Sequence, residues 1–197
     1  MVQVYCRVIL VKKAVLVLDM LNDFVTGKLA CPRAQRIISN IRLVLVAARK
    51  AGVPVIYSND AHLPGVDHEF SVWGEHALAG TRAAQVIPEL APKKGDYIVP
   101  KRNYSGFFET DMDGLLRGLG VEEVVLCGLH AHICVRHTSA DAFFRGYGIT
   151  VIGDGVESFT DEDYKSGIEY VKMAYKARIA DSDEIIREFG KSGKPGS

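Results

Sequence analysis

An acid, a base and a thiol each follow soon after a short apolar run of the sequence: Asp19, Lys101 and Cys134. A carboxylate can take the proton of a thiol and later return it to a leaving amine. A nearby cation and the start of a helix both favour the thiolate, which is the reactive form. Together the three residue types indicate nucleophilic catalysis by cysteine. Each also has a structural alternative, namely a capping aspartate, a solvated lysine or a small core cysteine.

The elements that would position these residues alternate along the chain, as apolar runs and helical spacings show. The predicted strands are 14–19, 53–58, 97–100, 123–128 and 149–153, and the predicted helices are 32–51, 109–119, 134–146, 161–178 and 183–189. Parallel strands joined by helices give an open sheet covered on both faces. We therefore expect a three-layer α/β/α sandwich with a mostly parallel sheet. Ligands bind beyond the carboxyl ends of such strands, where the three residues fall.

Composition is typical of one globular domain, since 48% of the 197 residues are apolar and 24% are charged. We expect this domain to cover 13–189, after an N-terminal extension (1–12) and before a disordered tail (190–197). The formal net charge is zero, which does not favour a nucleic-acid partner. The apolar run at the start is too short to cross a bilayer, so no membrane partner is expected. The four cysteines lack zinc-ribbon spacing, and we expect reduced thiols in a cytoplasmic protein.

The polar loop after the second predicted strand contains residue types that bind metals: Asp60, His62 and His76, with Glu69 or His68 as a further ligand. Aspartate and histidine suit zinc or another divalent metal. The alternative is a polar loop whose histidines only hydrogen-bond. Aromatic residues are candidates for the walls of a substrate pocket: Phe24, Trp73 and Tyr104. Core packing is the alternative for these rings and for Phe107.

Three motifs occur in order between residues 13 and 180: VLVLDMLNDF around Asp19, KRNYSGFFETDMDGLLRGLGV from Lys101, and VVLCGLHAHICVRHTSADAFFRGYGITVIGDGVES around Cys134. They resemble those of the isochorismatase-like cysteine hydrolases, which include nicotinamidases, N-carbamoylsarcosine amidases and ureidoacrylate-type amidohydrolases. The resemblance implies a catalytic aspartate, lysine and cysteine at these positions. It also implies a non-proline cis peptide between Leu129 and His130, with the backbone N–H groups of His130 and Cys134 as oxyanion donors.

The reaction implied by the resemblance is hydrolysis of a small amide or carbamoyl compound through a thioester, with release of ammonia. Isochorismatases proper cleave a vinyl ether without a cysteine nucleophile, so Cys134 argues against that activity. Asp60, His62 and His76 match the metal-binding pattern of nicotinamidases, in which the metal anchors the substrate. No organic cofactor is expected, and the resemblance implies a homo-oligomer, either a dimer or a tetramer.

Two details favour a carbamoyl substrate. Leu21 stands where nicotinamidases usually have glutamine, and WGEHALAGT (73–81) is more similar to the carbamoylsarcosine amidases. We therefore expect an enzyme most like N-carbamoylsarcosine amidase, with a nicotinamidase or pyrazinamidase as the alternative. From other classes, a non-catalytic binding protein on the same fold remains an alternative. A dinucleotide-binding module is disfavoured, because no glycine-rich phosphate loop follows the first strand.

Overall fold

Six parallel strands form the central sheet of the computed structural model, which describes residues 11–192. The strands are β1 (Lys13–Leu18), β2 (Val55–Asp60), β3 (Tyr97–Lys101), β4 (Glu123–Leu129), β5 (Gly148–Glu157) and β6 (Arg178–Ala180). Their order across the sheet is β3-β2-β1-β4-β5-β6, and every neighbouring pair is parallel. The predicted parallel α/β sheet is confirmed.

Helices cover both faces of this sheet. Within the described residues they are α1 (Asn22–Val25), α2 (Ile38–Lys50), α3 (Phe70–Trp73), α4 (Met112–Gly118), α5 (Arg136–Phe144), α6 (Asp161–Tyr175) and α7 (Ser182–Ser192). On one face, α2 and α7 contribute Val44 and Phe189 to the core. On the other face, α4, α5 and α6 contribute Leu116, Ala142 and Val171. The predicted three-layer sandwich is therefore present.

Several predicted boundaries are wrong. The predicted helix 32–51 consists of a 3-10 turn, Pro32–Arg36, followed by α2. The predicted helix 161–178 ends at Tyr175, because Lys176 adopts a left-handed backbone with φ of 52° and the chain then enters β6.

The two ends of the predicted domain fall partly outside the described residues. The last helix, α7, continues to Ser192, so the first three residues of the predicted tail, 190–192, are helical. Residues 193–197, and positions 1–10 of the predicted N-terminal extension, lie outside the described part of the chain. Among the helices of residues 11–192, none has both the length and the apolar character needed to cross a membrane.

The register of the strands aligns their carboxyl ends. β1 is an apolar run that is buried along nearly its whole length, as expected for a strand covered on both faces. Leu18, its last residue, pairs with Ser58 of β2 and Gly128 of β4. On β2 and β3, Asp60 pairs directly with Lys101. The side chains at these paired positions, and those just beyond them along the chain, therefore meet at one edge of the sheet.

Two glycines allow close approaches beside this edge. Gly128 has a φ of 106°, and a Cβ atom there would lie 2.0 Å from the carbonyl oxygen of Leu18. Gly167 brings α6 against the turn after β4, where an added Cβ would lie 2.5 Å from the carbonyl carbon of Ala131. Glycine is required at both places because no larger residue fits without movement of the backbone.

Candidate active site

The three predicted catalytic side chains lie together at the carboxyl edge of the sheet. Lys101 Nζ is 2.8 Å from Asp19 Oδ2 and 3.8 Å from Cys134 Sγ. Asp19 is fully buried, Lys101 is 1% exposed and Cys134 is 5% exposed. An acid, an ammonium group and a thiol in mutual contact can exchange a proton and balance the charge that results.

Backbone contacts fix the position of Asp19. It follows β1 directly and has a left-handed backbone with φ of 52°. Its N–H donates to the carbonyl oxygen of Ser58 at 3.3 Å, and its Oδ1 accepts from the N–H of Asp60 at 2.8 Å. One carboxylate oxygen is thus held by the backbone of β2, while the other faces Lys101.

The electrostatics of the site place the mobile proton between Asp19 and Cys134. Burial and the neighbouring Asp60 raise the pKa of Asp19 to about 6, although Lys101 and a hydrogen bond with Cys134 lower it. Burial lowers the pKa of Lys101, but Asp19 and Asp60 outweigh burial and raise it well above its ordinary value. Lys101 is therefore a permanent cation at neutral pH, and Asp19 is a base close to its working range.

The surroundings of Cys134 favour the thiol over the thiolate, although the helix start and the cation beside it favour the thiolate. Burial raises the pKa of the Cys134 thiol well above its ordinary value, and the opposing effect of Lys101 does not compensate. Asp19 and Asp60 raise it further. The thiol is therefore protonated at neutral pH, with the carboxylate of Asp19 beside it as a group that can accept its proton.

The turn that carries Cys134 has an unusual backbone. A non-proline cis peptide joins Leu129 to His130, as the resemblance implies. A π-helical turn, Ala131–Val135, follows and leads into α5. Cys134 therefore lies in this turn, before the helix in which the sequence places it. We call residues 130–135 the nucleophile turn.

Beside the triad lies a buried cluster of metal-ligand residue types: Asp60, His62, Glu69 and His76. One ligand atom from each residue lies within 4.8 Å of the others. His68 is exposed, so the structure brings Glu69, and not His68, to the three other predicted ligands. Burial and the neighbouring Asp60 raise the pKa of Glu69 to about 7.

The two histidines of this cluster are oriented for metal binding. His62 Nδ1 lies 2.9 Å from a carboxylate oxygen of Asp67, and His76 Nδ1 lies 2.7 Å from the carbonyl oxygen of Gly74. Because both partners can only accept, each Nδ1 carries a hydrogen, and in the neutral imidazole each Nε2 keeps its lone pair for a metal. His62 Nε2 is buried without a hydrogen-bond partner among the described residues. The donor set fits zinc or a similar divalent cation.

Asp60 contacts the triad and also belongs to the cluster of metal-ligand residue types. Its position in the sequence does not reveal this double contact. Its Oδ1 forms a short ion pair with Lys101 Nζ. Its Oδ2 lies 3.6 Å from Nε2 of His62 and 3.9 Å from Nε2 of His76. Burial raises the pKa of Asp60, but Lys101 and His62 outweigh burial and hold it below its ordinary value. The carboxylate is ionised and links the cluster to the triad.

A narrow, almost closed cavity with a free volume of about 20 Å³ leads to Cys134. All three predicted wall residues line it: Phe24, Trp73 and Tyr104. Trp73 Nε1–H donates to the Tyr104 hydroxyl at 3.0 Å, which joins two of these walls. Phe107 is a core residue. Three wall residues are not among those that the sequence predicts: Leu29, Ile133 and Phe159. Phe159 could have been found because it follows shortly after a predicted strand.

Comparison with known proteins agrees with this geometry. The Isochorismatase domain family model matches residues 13–184. The crystal structure of N-carbamoylsarcosine amidase from Thermoplasma acidophilum is 43% identical, with a TM-score of 0.82 over 87% of this chain and 97% of that one. Pyrazinamidase of Pyrococcus horikoshii, solved in complex with zinc, is 28% identical, with a TM-score of 0.80 over 86% and 99%. Nicotinamidase 3 of Arabidopsis thaliana is 28% identical over 89% of this chain and 88% of its own length.

The chain belongs to the isochorismatase family, because the family model covers most of its length. It is a hydrolase of the kind that acts on non-peptide C–N bonds, as these relatives are. The resemblance inferred from the three motifs is confirmed.

Proposed function

We propose that the chain is a cysteine-dependent amidohydrolase that cleaves a small carbamoyl or amide compound and releases ammonia. The observation that carries this proposal is the contact of Asp19, Lys101 and Cys134 at the end of a narrow cavity. Residues 13–189 form the hydrolase domain in this proposal. We infer an activity like that of N-carbamoylsarcosine amidase, because the enzyme from Thermoplasma acidophilum is 43% identical to this chain.

The first half of the reaction forms a thioester. Asp19 takes the proton of Cys134, and Lys101 balances the negative charge that moves between them. The thiolate attacks the carbonyl carbon, and the backbone N–H groups of His130 and Cys134 stabilise the oxyanion. As the tetrahedral species collapses, the C–N bond breaks and Asp19 returns the proton, so that ammonia leaves.

The second half of the reaction releases the product. Asp19, again ionised, takes a proton from a water molecule whose oxygen attacks the thioester carbonyl. The C–S bond then breaks, the acid product leaves, and the proton on Asp19 returns to the thiolate of Cys134. Since Asp19 serves as base and acid in turn, a pKa near the working pH suits both steps.

A divalent metal, zinc in the first instance, is part of the proposal. Asp60, His62, Glu69 and His76 would hold it, because their donor atoms converge and His62 Nε2 has no partner among the described residues. When bound, such an ion offers a positive anchoring point for a polar atom of the substrate. It would also offset the carboxylates of Asp60 and Glu69.

A nicotinamidase or pyrazinamidase activity is the second candidate. The walls of the cavity include Phe24, Trp73 and Phe159, whose aromatic faces suit a flat heteroaromatic ring. The zinc-complexed pyrazinamidase among the relatives supports this candidate as well. In either case we expect a cytoplasmic dimer or tetramer. Size-exclusion chromatography with light scattering would measure the oligomeric state.

Ammonia release from a substrate panel tests the proposal. The panel contains N-carbamoylsarcosine, ureidoacrylate, nicotinamide and pyrazinamide, each assayed with wild type, Cys134→Ala and chelator-treated enzyme. We expect turnover of a panel member that is lost in Cys134→Ala and reduced by chelation. Restoration by added zinc supports the metal site. Equal turnover by wild type and Cys134→Ala would overturn the assignment of the nucleophile.

A further inference from the structure

The free space beside Cys134 is too small for a substrate. Its volume of about 20 Å³ has room for about one water molecule. Any amide or carbamoyl compound is larger than water, so the cavity must widen before a substrate can reach the sulfur. A groove with a free volume of about 430 Å³ lies next to the cavity. Glu69 and Tyr104 line both spaces, so the partition between them is thin at these residues.

The walls of the cavity differ in how firmly they are held. Phe24 is a buried core residue, and Leu29 and Phe159 pack against the same core cluster. Trp73 and Tyr104 belong to neither of the two hydrophobic clusters that cover the sheet, and both are half-buried. Groups with few buried apolar contacts have the lowest free energies of local opening. The wall formed by Trp73 and Tyr104 is therefore the part that opens most easily.

A hydrogen bond closes this part of the wall. Trp73 Nε1–H donates to the Tyr104 hydroxyl at 3.0 Å. On the cavity side the Trp73 ring lies 6.0 Å from that of Phe159, and on the groove side the Tyr104 ring lies 5.3 Å from that of exposed His137. The short helix α3, which carries Trp73, has no buried side chain and is followed by Gly74 with a φ of 70°. The hydrogen bond therefore joins two side chains that are only loosely packed.

We propose that the Trp73–Tyr104 pair is a gate through which the substrate enters the cavity from the groove. This inference rests on the amidohydrolase function proposed above, because the molecule admitted is its substrate. When the hydrogen bond breaks and the two side chains part, the cavity and the groove become one space. That space extends from Cys134 to an apolar entrance that includes Val72 and Phe144. When the bond forms again, the gate keeps bulk water away from the triad.

Removal of the hydrogen bond tests the gate. Tyr104→Phe keeps the ring but removes the oxygen that accepts from Trp73. Iodoacetamide, itself a small primary amide, alkylates Cys134 only when the cavity is open. We expect labelling of Cys134 at pH 7 to be about 2- to 10-fold faster in Tyr104→Phe than in wild type, which is the effect of one hydrogen bond on the opening equilibrium. Mass spectrometry of the peptide that contains Cys134 measures the rate.

A second readout follows the gate itself. Trp73 is the single tryptophan of the 197 residues, so the tryptophan fluorescence of the protein comes from the gate alone. Quenching of this fluorescence by acrylamide increases with the exposure of the indole ring. We expect stronger quenching in Tyr104→Phe than in wild type, in parallel with the faster labelling of Cys134.

The matched control is Tyr147→Phe. The Tyr147 hydroxyl donates to Asp113 at 2.8 Å, and Tyr147 is not among the residues that line the cavity. This variant also loses one tyrosine hydroxyl and its hydrogen bond. We expect its labelling rate to stay within about twofold of wild type and its quenching to be unchanged.

Three results would overturn the gate. Labelling of Tyr104→Phe at the wild-type rate would show that the hydrogen bond does not limit access. An equal increase in both variants would assign access to general unfolding. Faster labelling of Tyr104→Phe without stronger quenching would place the route elsewhere in the wall. Neither measurement uses turnover, so these results leave the proposed hydrolase intact. The hydrolase itself fails if no member of the substrate panel shows turnover that depends on Cys134, whatever the labelling rates are.

Discussion

Two buried thiols of the same strand-and-turn region differ only in their surroundings. Cys127, inside β4, has its pKa raised to about 12 by burial alone, and its thiol donates to the carbonyl oxygen of Leu16 at 3.5 Å. Cys134 is almost as deeply buried and its pKa is also raised, but Lys101 and Asp19 contact it. Exposure therefore does not distinguish the proposed nucleophile, Cys134, from the core residue Cys127. The distinction comes from a base and a cation within reach of the sulfur.

The largest expected effect is the difference between the two alanine variants. Cys134→Ala should lower kcat by at least about 10³-fold, since the proposed thioester forms on its sulfur. Cys127→Ala should keep kcat within about threefold and lose about 1 kcal/mol of unfolding free energy, as expected for a small core truncation. Steady-state ammonia release and urea unfolding measure the two quantities. Comparable losses of kcat in both variants would remove the basis of the comparison.

The next effect concerns the base that sets the two thiols apart. Asp19→Asn keeps the size of the side chain and an oxygen that can accept from the N–H of Asp60, but it cannot take a proton. We expect kcat to fall about 10²- to 10⁴-fold. Labelling of Cys134 by a small alkylating agent at pH 7 should slow as well. Labelling at the wild-type rate would show that Asp19 is not the group that activates the thiol.

The parts of the site that the sequence predicts correctly follow from apolar runs and from one topological rule. Asp19 directly follows β1, Lys101 is the last residue of β3, and Cys134 follows soon after β4. Parallel strands bring their carboxyl ends to one edge, so their meeting place is predictable without knowledge of the packing. The same holds for Asp60, the last residue of β2.

The features of the site that the sequence does not reveal depend on the register of the strands and on how deeply each side chain is buried. The contact of Asp60 with Lys101 requires the pairing of β2 with β3, which no residue pattern specifies. Phe159 reaches the cavity because β5 continues to Glu157, beyond the predicted end at residue 153. The protonated state of Cys134 depends on how completely the surrounding loops exclude water. The sequence indicates which charges lie near the thiol, but it does not indicate the extent of burial that outweighs their effect on the pKa of Cys134.

A smaller effect concerns how the nucleophile turn is held. Cys127 is fixed by its own strand, whereas the turn of Cys134 rests on α6 through Gly167. Gly167→Ala would place Cβ 2.5 Å from the carbonyl carbon of Ala131, so we expect a loss of about 1–3 kcal/mol and a lower kcat. Gly114→Ala in α4 is the matched control. An added Cβ there meets nothing within 4 Å, and alanine should stabilise the helix by about 0.5–1 kcal/mol. If the two variants had similar unfolding free energies and similar kcat values, α6 would not support the nucleophile turn.

The last effect is on stability rather than on kcat, and it is the pH dependence that buried His130 gives to the unfolding free energy. The same burial that makes Cys127 inert keeps His130 neutral, with a pKa of about 3 against an ordinary value of 6.5. Below pH 6.5 the unfolded chain binds a proton at this residue that the folded chain does not bind. The unfolding free energy should therefore fall by about 1.4 kcal/mol per pH unit from this group, from about pH 6.5 down to about pH 3.

Urea unfolding at pH 7, 6, 5 and 4 isolates this contribution when wild type is compared with His130→Phe. The carboxylates titrate in both proteins, so the difference between the two curves belongs to His130 and to the groups that face it, which include His132, Asp60, Lys101 and Asp163. We expect the difference to be constant above pH 7 and to change in favour of His130→Phe below pH 6. Parallel curves over the whole range would mean that His130 is protonated as easily in the folded chain as in the unfolded one. Burial would then not be the dominant influence on the pKa of His130 in the cavity wall. The contrast between Cys127 and Cys134 would also need an explanation other than their neighbours.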